Sequence, residues 1–186
     1  MVTKRMTKSL HSISRLADGV KAQKARSSKR SSDTPCVRGR CLCGAIEVEI
    51  DVPAFWAWHD HSVESRKVHA AAYATYVGCW LSRFRVAKGL SSVTRFDDQT
   101  GKSTRAFCGH CGTPVYFARR HSPKMVNVPR ALFNGRTGRE PRYHVAMDQQ
   151  PEWAYRGEAV RPLKGYPGVM VESSRRNKSV ALDDWL

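Results

Sequence analysis

Two short cysteine pairs are the residues of this sequence best suited to chemistry. Cys41 and Cys43 lie in the run Cys-Leu-Cys-Gly, and Cys108 and Cys111 lie in the run Cys-Gly-His-Cys-Gly. Four thiolates complete the tetrahedral shell that zinc takes in structural sites, and they leave no position for water. Two intervening residues let one turn present both sulfurs of the second pair to one ion, and Gly112 can take the positive φ that such a turn needs. The spacing predicts one structural zinc ion shared by two distant segments.

Other interpretations of the cysteines stay open from the residues alone. Cys41 and Cys43 alternate as neighbours on one face of a strand do, so they could belong to a core. Two unrelated buried pairs or a disulfide framework are the alternatives. Six cysteines among 186 residues are not disulfide-dense, and no secretory signal is visible. We therefore expect a reducing compartment, the cytoplasm, where paired cysteines bind metal more often than they oxidise.

The composition is strongly basic, with a net charge of +16 and a pI near 10.1. Such a charge attracts nucleic acid, anionic lipid or small acidic ligands, although it also suits a merely basic surface. No apolar run approaches the roughly 20 residues that a membrane helix requires. We therefore expect no membrane partner.

Three segments differ in composition. Residues 1–35 carry nine basic and two acidic side chains and few apolar ones, which is typical of a disordered tail. Residues 36–167 form the predicted zinc-binding domain, and residues 168–186 form a second tail. The basic N-terminal tail could act as a polyelectrolyte arm for nucleic acid, although no base-reading motif accompanies it.

The predicted domain has the pattern of many short strands. Apolar and charged residues alternate over 45–50, as in a half-buried strand, and Pro53 ends it. Ser65 to Ala71 is compatible with a short helical turn, and long helical periodicity is absent. Such a pattern predicts a mainly β fold with short helical turns. Further strands are predicted over 73–80, 83–86, 92–96, 105–107, 113–118, 124–128 and 143–147.

The order of several motifs resembles that of a known family, the glutathione-dependent formaldehyde-activating enzymes with their centromere protein V relatives. The resemblance spans about residues 37–167 and implies an Mss4-like, zinc-containing β fold. It also implies carbon–sulfur lyase activity on adducts of glutathione with formaldehyde or related aldehydes. The matching segments are Gly39 to Ile46, Ser65 to Lys67, Ala71 to Tyr73, Arg105 to Thr113, His144, and Pro151 to Trp153.

The sequence departs from that family at its second metal site. The family pattern there is Cys-x-Cys-x-x-Cys followed by a basic residue, and it holds the zinc associated with activity. Aligned through Arg66, the three positions are Asp60, Ser62 and Ser65. Serine is a poor zinc ligand, because its hydroxyl stays protonated and lacks the softness of sulfur. We therefore expect an eroded catalytic site with weak or altered activity.

Nearby residues offer weaker candidates. Asp60, His61 and Glu64 could rebuild a His/carboxylate metal site with an open catalytic position, and the alternative is a solvated polar loop. Arg66 and Lys67 could hold a glutathione carboxylate, and the alternative is ordinary surface charge.

Three functions therefore remain to be compared. The first is a carbon–sulfur lyase. The second is a non-catalytic, zinc-stabilised module that binds glutathione or another small anion. The third is nucleic-acid association through the basic tail and body.

Overall fold

The computed structural model describes residues 34–98, 100–154 and 160–172. Most of the predicted N-terminal tail and residues 173–186 lie outside the described residues. The mainly β class predicted from the sequence is confirmed. The strands are β1 (Cys36–Arg40), β2 (Glu47–Asp51), β3 (Trp56–Asp60), β4 (Ala74–Trp80), β5 (Phe84–Lys88), β6 (Val93–Asp97), β7 (Ser103–Cys108), β8 (Pro114–Arg119), β9 (Met125–Pro129), β10 (Tyr143–Val145), β11 (Val160–Pro162) and β12 (Val169–Glu172).

A small sheet carries the first cysteine pair. Its strand order is β1-β2-β5, and both pairings are antiparallel. The alternation predicted for residues 45–50 holds, because Val48 and Ile50 are buried. Glu49 faces away from the core and pairs with Arg38 at 2.7 Å and Arg85 at 3.2 Å. The first cysteine loop leaves β1 and returns as β2.

A large sheet carries the second cysteine pair. Its nine strands have the order β11-β12-β10-β3-β4-β9-β8-β7-β6. Strands β6 to β9 are antiparallel neighbours, and the second cysteine loop connects β7 to β8. The pairing of β10 with β3 is parallel and sets His144 beside His59. This long-range pairing brings residues from the end of the domain next to the second-site segment.

The sheet extends past residue 167, the predicted end of the domain. Strand β12 pairs antiparallel with β10 and with β11. The apolar Val-Met-Val run that follows Gly168 supplies this strand, although it is too short to be distinguished from a tail by composition. The sheet therefore includes residues 169–172, which lie beyond the predicted end of the domain at 167.

One α-helix, α1 (Val63–His69), lies in the part of the chain that the structure describes, between β3 and β4. It begins two residues before the predicted helical turn. Ser62 caps its start by accepting a hydrogen bond from the amide of Ser65. Ala70 closes its end in the left-handed conformation, with φ of 48°. No helix of the described residues is both long enough and apolar enough to cross a membrane.

The main core lies between the two sheets. Buried aliphatic residues of the small sheet, with Phe84, pack against Val77, Val126 and Val128 of the large sheet. Because successive strand residues face opposite sides, Tyr76 of β4 points away from this core. It joins Trp58 and Phe117 in a second cluster. The helix lies on that second side, where Ser65 and His69 contact Tyr76.

Candidate metal centre and the neighbouring polar cluster

The first cysteine loop is a tight turn after β1. The amide of Cys41 donates to the carbonyl of Ile46 at 3.1 Å, and the amide of Gly44 donates to the carbonyl of Cys41 at 3.0 Å. Gly44 has φ of 73°, a conformation that favours glycine. The turn holds both cysteines of this pair on one side.

The second cysteine loop closes in the same manner after β7. The amide of Cys108 donates to the carbonyl of Thr113 at 2.9 Å, and that of Gly112 donates to the carbonyl of Cys108 at 2.8 Å. Gly112 has φ of 72°, so the positive φ predicted from the sequence is confirmed. Both loops thus end in a turn that a glycine closes.

The four sulfur atoms converge. All lie within 4.8 Å of one another, with 3.5 Å between Cys41 and Cys43 and 3.8 Å between Cys43 and Cys108. A tetrahedron with metal–sulfur bonds of ~2.3 Å has edges of ~3.8 Å, so the spacing fits one tetrahedral ion. None of the six cysteines forms a disulfide, which excludes the disulfide framework. The predicted convergence of Cys41, Cys43, Cys108 and Cys111 is confirmed.

Thr113 joins the two loops, and the sequence prediction missed it. Its hydroxyl accepts a hydrogen bond from the amide of Leu42 at 3.2 Å. The same oxygen lies 3.1 Å from the sulfur of Cys111. The available signal was its place directly after Gly112, where a short polar side chain can reach the cluster.

The protonation of the thiols shows why a cation suits this cluster. Hydrogen bonds from the hydroxyl and amide of Thr113 lower the pKa of Cys111 to about 5. The amide of Ala45 acts to lower the pKa of Cys43, but the neighbouring sulfurs of Cys111 and Cys41 outweigh it and raise that pKa to about 12. Like charges this close oppose joint ionisation. A divalent cation among the sulfurs would remove that opposition.

The three second-site positions, Asp60, Ser62 and Ser65, meet at the start of α1. Asp60 Oδ1 accepts from the amide of Ser62 at 2.9 Å, and Ser62 Oγ accepts from the amide of Ser65 at 3.3 Å. Asp60 and Ser65 are buried. Ser62 therefore caps the first turn of the helix, and Asp60 holds the cap residue in place.

The hydrogen-bond chain continues from Ser65 through Tyr76 to His69. The Tyr76 hydroxyl donates to Ser65 Oγ at 3.5 Å and lies 2.9 Å from Nε2 of His69. Burial lowers the pKa of His69, and the charge of Arg105 lowers it further. The His69 side chain is therefore partly buried against Tyr76.

His61 lies beside this cluster and is 2% exposed. Its Nε2 is 2.9 Å from Nδ1 of His144, and the two rings stack with centroids 5.2 Å apart. Its Nδ1 has no hydrogen-bond partner among the described residues. Burial, and then the neighbouring His144 and His59, lower the pKa of His61 to about 4, so the ring is neutral at pH 7. No local sequence signal predicts this pair.

The weaker candidate ligands do not form a second metal group. Within the described ranges, the four cysteines are the one group of three or more such side chains that could hold an ion. Glu64 is exposed, whereas Asp60 and His61 are buried.

The two candidate substrate-binding residues differ in their contacts. Arg66 donates from Nε to the carbonyl of His61 at 3.2 Å and from Nη2 to that of Gln149 at 3.1 Å. Lys67 is exposed on the helix. Arg66 therefore joins two loops through N–H groups that could otherwise bind a carboxylate. Lys67 remains accessible to solvent.

Comparison with known proteins identifies one family model. It is described as glutathione-dependent formaldehyde-activating enzyme, and it matches residues 36–149, which include both cysteine loops and the second-site positions. A crystal structure of a Rhodobacter sphaeroides protein from a structural genomics programme is similar, with 26% identity and a TM-score of 0.45. The similarity covers 53% of this chain and 89% of that one. No curated protein matches the chain.

Proposed function

We propose, from the premise that this chain belongs to the glutathione-dependent formaldehyde-activating enzyme family, that it is a one-zinc protein of the carbon–sulfur lyase class. Its substrates would be adducts of glutathione with formaldehyde or related aldehydes. Its second metal site is replaced by a hydrogen-bond network, so its activity is weak or altered. Two observations together support this proposal: four sulfur atoms converge, and the second-site positions carry no thiol.

The structural ion would be held by Cys41, Cys43, Cys108 and Cys111. A set of four thiolates is soft and suits zinc better than magnesium or calcium, which prefer oxygen. With four protein ligands the ion has no open position, so its contribution is to fix the two loops together. A reducing cytoplasm would keep these thiols available.

The loss of the second thiolate cluster would limit the chemistry. A metal at that site would bind the sulfur of glutathione and lower its pKa, which supplies a nucleophile for the aldehyde carbon. A thiol with a pKa near 8.5 is only a few per cent ionised at neutral pH without such help. Instead, Ser62 caps the helix, Asp60 accepts from the amide of Ser62, and the Ser65 hydroxyl accepts from Tyr76. Asp60, His61 and Glu64 stay weak catalytic candidates.

A binding role can survive this loss. Lys67 is exposed and can reach an anionic group such as a glutathione carboxylate. Arg66 can contribute only through the part of its guanidinium that the two backbone carbonyls leave unused. We infer that binding of glutathione depends on Lys67 more than on Arg66.

Counting metal by elemental mass spectrometry tests the proposal directly. One zinc per chain is the expected result. Two zinc ions per chain would contradict it and return Asp60, His61 and Glu64 to consideration as ligands.

A second measurement addresses the activity. NMR exchange spectroscopy can follow the interconversion of glutathione and formaldehyde with their adduct, with and without the zinc-loaded protein. We expect little acceleration over the uncatalysed exchange. Strong acceleration by protein that holds one zinc ion per chain would contradict the proposal, because it would show that catalysis does not need a second metal ion.

The charge of the chain supports a second candidate, association with nucleic acid. A net charge of +16 is the specific observation, and much of it lies in the N-terminal 35 residues. Contacts to phosphates weaken steeply with salt, because counterions are released on binding. DNA binding that is salt-dependent and lost on deleting residues 1–35 would favour this candidate. Binding that is absent at low salt would exclude it.

A further inference from the structure

An apolar cavity of about 340 Å³ lies against the large sheet, on the side where α1 packs. Aromatic rings dominate its wall, with Tyr76, Phe96, Phe107, Tyr116 and Phe117 contributing. An apolar cavity of roughly 150 Å³ is enough to hold benzene. The cavity therefore has room for one aromatic ring with a short side chain.

One cation shares this wall. The guanidinium of Arg105 lies over the ring of Phe117, 5.1 Å from its centroid. Arg105 is half-buried, and no carboxylate among the described residues lies within ion-pair distance of it. A cation beside apolar walls interacts strongly with an anion, because the local dielectric constant is low. The cavity therefore combines apolar walls with a guanidinium that contacts Phe117 and Tyr76 and has no carboxylate within ion-pair distance among the described residues.

The cavity continues into a larger, more polar space. A second cavity of about 550 Å³ shares His69, Pro114 and Pro129 with it, and Arg38 and Arg40 line that second space. The shared residues make His69 the polar side chain at the junction. A ligand can therefore enter from the polar side and place its apolar end among the rings.

We propose that this cavity binds a small aromatic carboxylate, with the ring among Phe96, Phe107 and Phe117 and the carboxylate on Arg105. A neutral aromatic compound would leave the guanidinium without a partner. A short carboxylate without a ring would leave the apolar wall exposed to water. One guanidinium and a volume of this size suit a single carboxylate rather than a nucleotide polyphosphate. The site requires neither a second metal ion nor glutathione, so it can be tested apart from the proposed lyase function, although it shares Tyr76 and His69 with the hydrogen-bond chain that leads from Ser65.

Calorimetric titration of the full, zinc-loaded chain tests the proposal with 3-phenylpropionate as the probe. Two matched compounds separate the parts of the ligand, namely 3-phenylpropanol without the charge and propionate without the ring. We expect 3-phenylpropionate to bind at least ~10-fold more tightly than either, because a charge-assisted hydrogen bond contributes 1.5–3 kcal/mol. Equal binding of the carboxylate and the alcohol, or no binding of 3-phenylpropionate at millimolar concentration, would overturn the proposal.

Variants of Arg105 identify the cation. Arg105→Gln should lose at least ~10-fold in affinity for 3-phenylpropionate and leave the affinity for 3-phenylpropanol unchanged. Arg120→Gln, which removes an equal charge from an exposed turn, should leave both unchanged. If Arg105→Gln does not fold, Arg105→Lys retains the charge without the bidentate geometry and should still weaken carboxylate binding selectively. Unchanged carboxylate affinity in a folded Arg105 variant would contradict the assignment.

Discussion

Nε2 of His61 lies 2.9 Å from Nδ1 of His144, so one imidazole donates a hydrogen bond to the other inside the protein. The pairing depends on the parallel contact of β10 with β3, which sets the two segments side by side. His61 is 2% exposed, and both rings can share this bond only while one nitrogen of the pair is unprotonated.

Acidification should therefore destabilise the protein through His61. Its pKa falls from an ordinary 6.5 to about 4 in the folded state, because burial and the neighbouring His144 and His59 oppose its charge. The unfolded chain binds the proton more readily, so this contribution to stability is present above pH 6.5 and is lost as the pH falls toward 4. The full loss amounts to about 3 kcal/mol. Urea unfolding at pH 7 and pH 5 measures the larger part of this loss, about 2 kcal/mol.

The matched variants are His61→Gln and His110→Gln. His61→Gln should show a smaller drop in the free energy of unfolding between pH 7 and pH 5 than wild type. His110 is exposed, so its replacement should leave the wild-type pH dependence in place. Equal pH dependence in wild type and His61→Gln would show that His61 does not contribute.

Loss of one cluster cysteine should remove the metal and most of the stability. Cys41 and Cys108 are 3% and 0% exposed, and each belongs to a different loop. Metal binding of this kind contributes on the order of 10 kcal/mol, comparable to the stability of a whole domain. Thermal unfolding and zinc content of Cys41→Ala and Cys108→Ala test this prediction. Cys36→Ala, at an exposed position outside the cluster, should melt and bind metal as wild type does.

Restoring the thiols at the second site should restore a second metal ion. Asp60, Ser62 and Ser65 already lie together at the first turn of α1. The triple variant Asp60→Cys, Ser62→Cys, Ser65→Cys should raise the zinc content from one to two ions per chain. Its exchange of formaldehyde with glutathione should exceed that of wild type. A triple variant that folds and still holds one zinc would show that these positions do not form a metal site.

Gly89→Ala should destabilise the turn that supports the first cysteine loop. A Cβ at Gly89 would lie 2.0 Å from the carbonyl oxygen of Ala45, and the residue has φ of 73°. Gly44→Ala is the matched control, since Gly44 has the same φ but nothing within 4 Å of an added Cβ. We expect a loss of ~1–2 kcal/mol for Gly44→Ala, from conformation alone. The loss for Gly89→Ala should be clearly larger in chemical unfolding, and equal losses would contradict the contact.

Cys79 should resist thiol reagents in the folded protein. It is 1% exposed, and burial raises the pKa of its thiol to about 12. A buried thiol of this kind behaves as a small hydrophobic residue rather than as a nucleophile. In the zinc-loaded protein, mass spectrometry after brief alkylation should find the label on the exposed Cys36. Fast labelling of Cys79 under native conditions would contradict this prediction.

The sequence was informative where structure depends on neighbours in the chain. Gly112 after the second cysteine pair predicted a turn with positive φ, and the residue adopts that conformation. Alternation predicted β2 and several other strands. The start of the helix could also have been predicted. Serine is a common capping residue, and Ser62 lies three residues before Ser65, whose amide it caps.

Contacts between distant segments could not be derived this way. The bond between His61 and His144 spans 83 residues, and no local pattern marks either partner. Strand β12 lies in the segment that the composition described as a tail. Its four residues are too few to show a pattern that would predict pairing with another strand. The cation in an aromatic cavity likewise appears only when β7, β8 and α1 are assembled.

The sequence by itself determined the cysteine pairs, the mainly β character and the absence of cysteines from the second-site positions. Only the tertiary structure decided that the four sulfur atoms meet. It also decided that hydrogen bonds link Asp60, Ser62 and Ser65 at the start of α1, and that Arg105 faces an apolar cavity. The physical reason is that residue type and spacing fix local conformation and available chemistry. Strand order and register, which set distances between remote side chains, depend on how all the buried surfaces pack together.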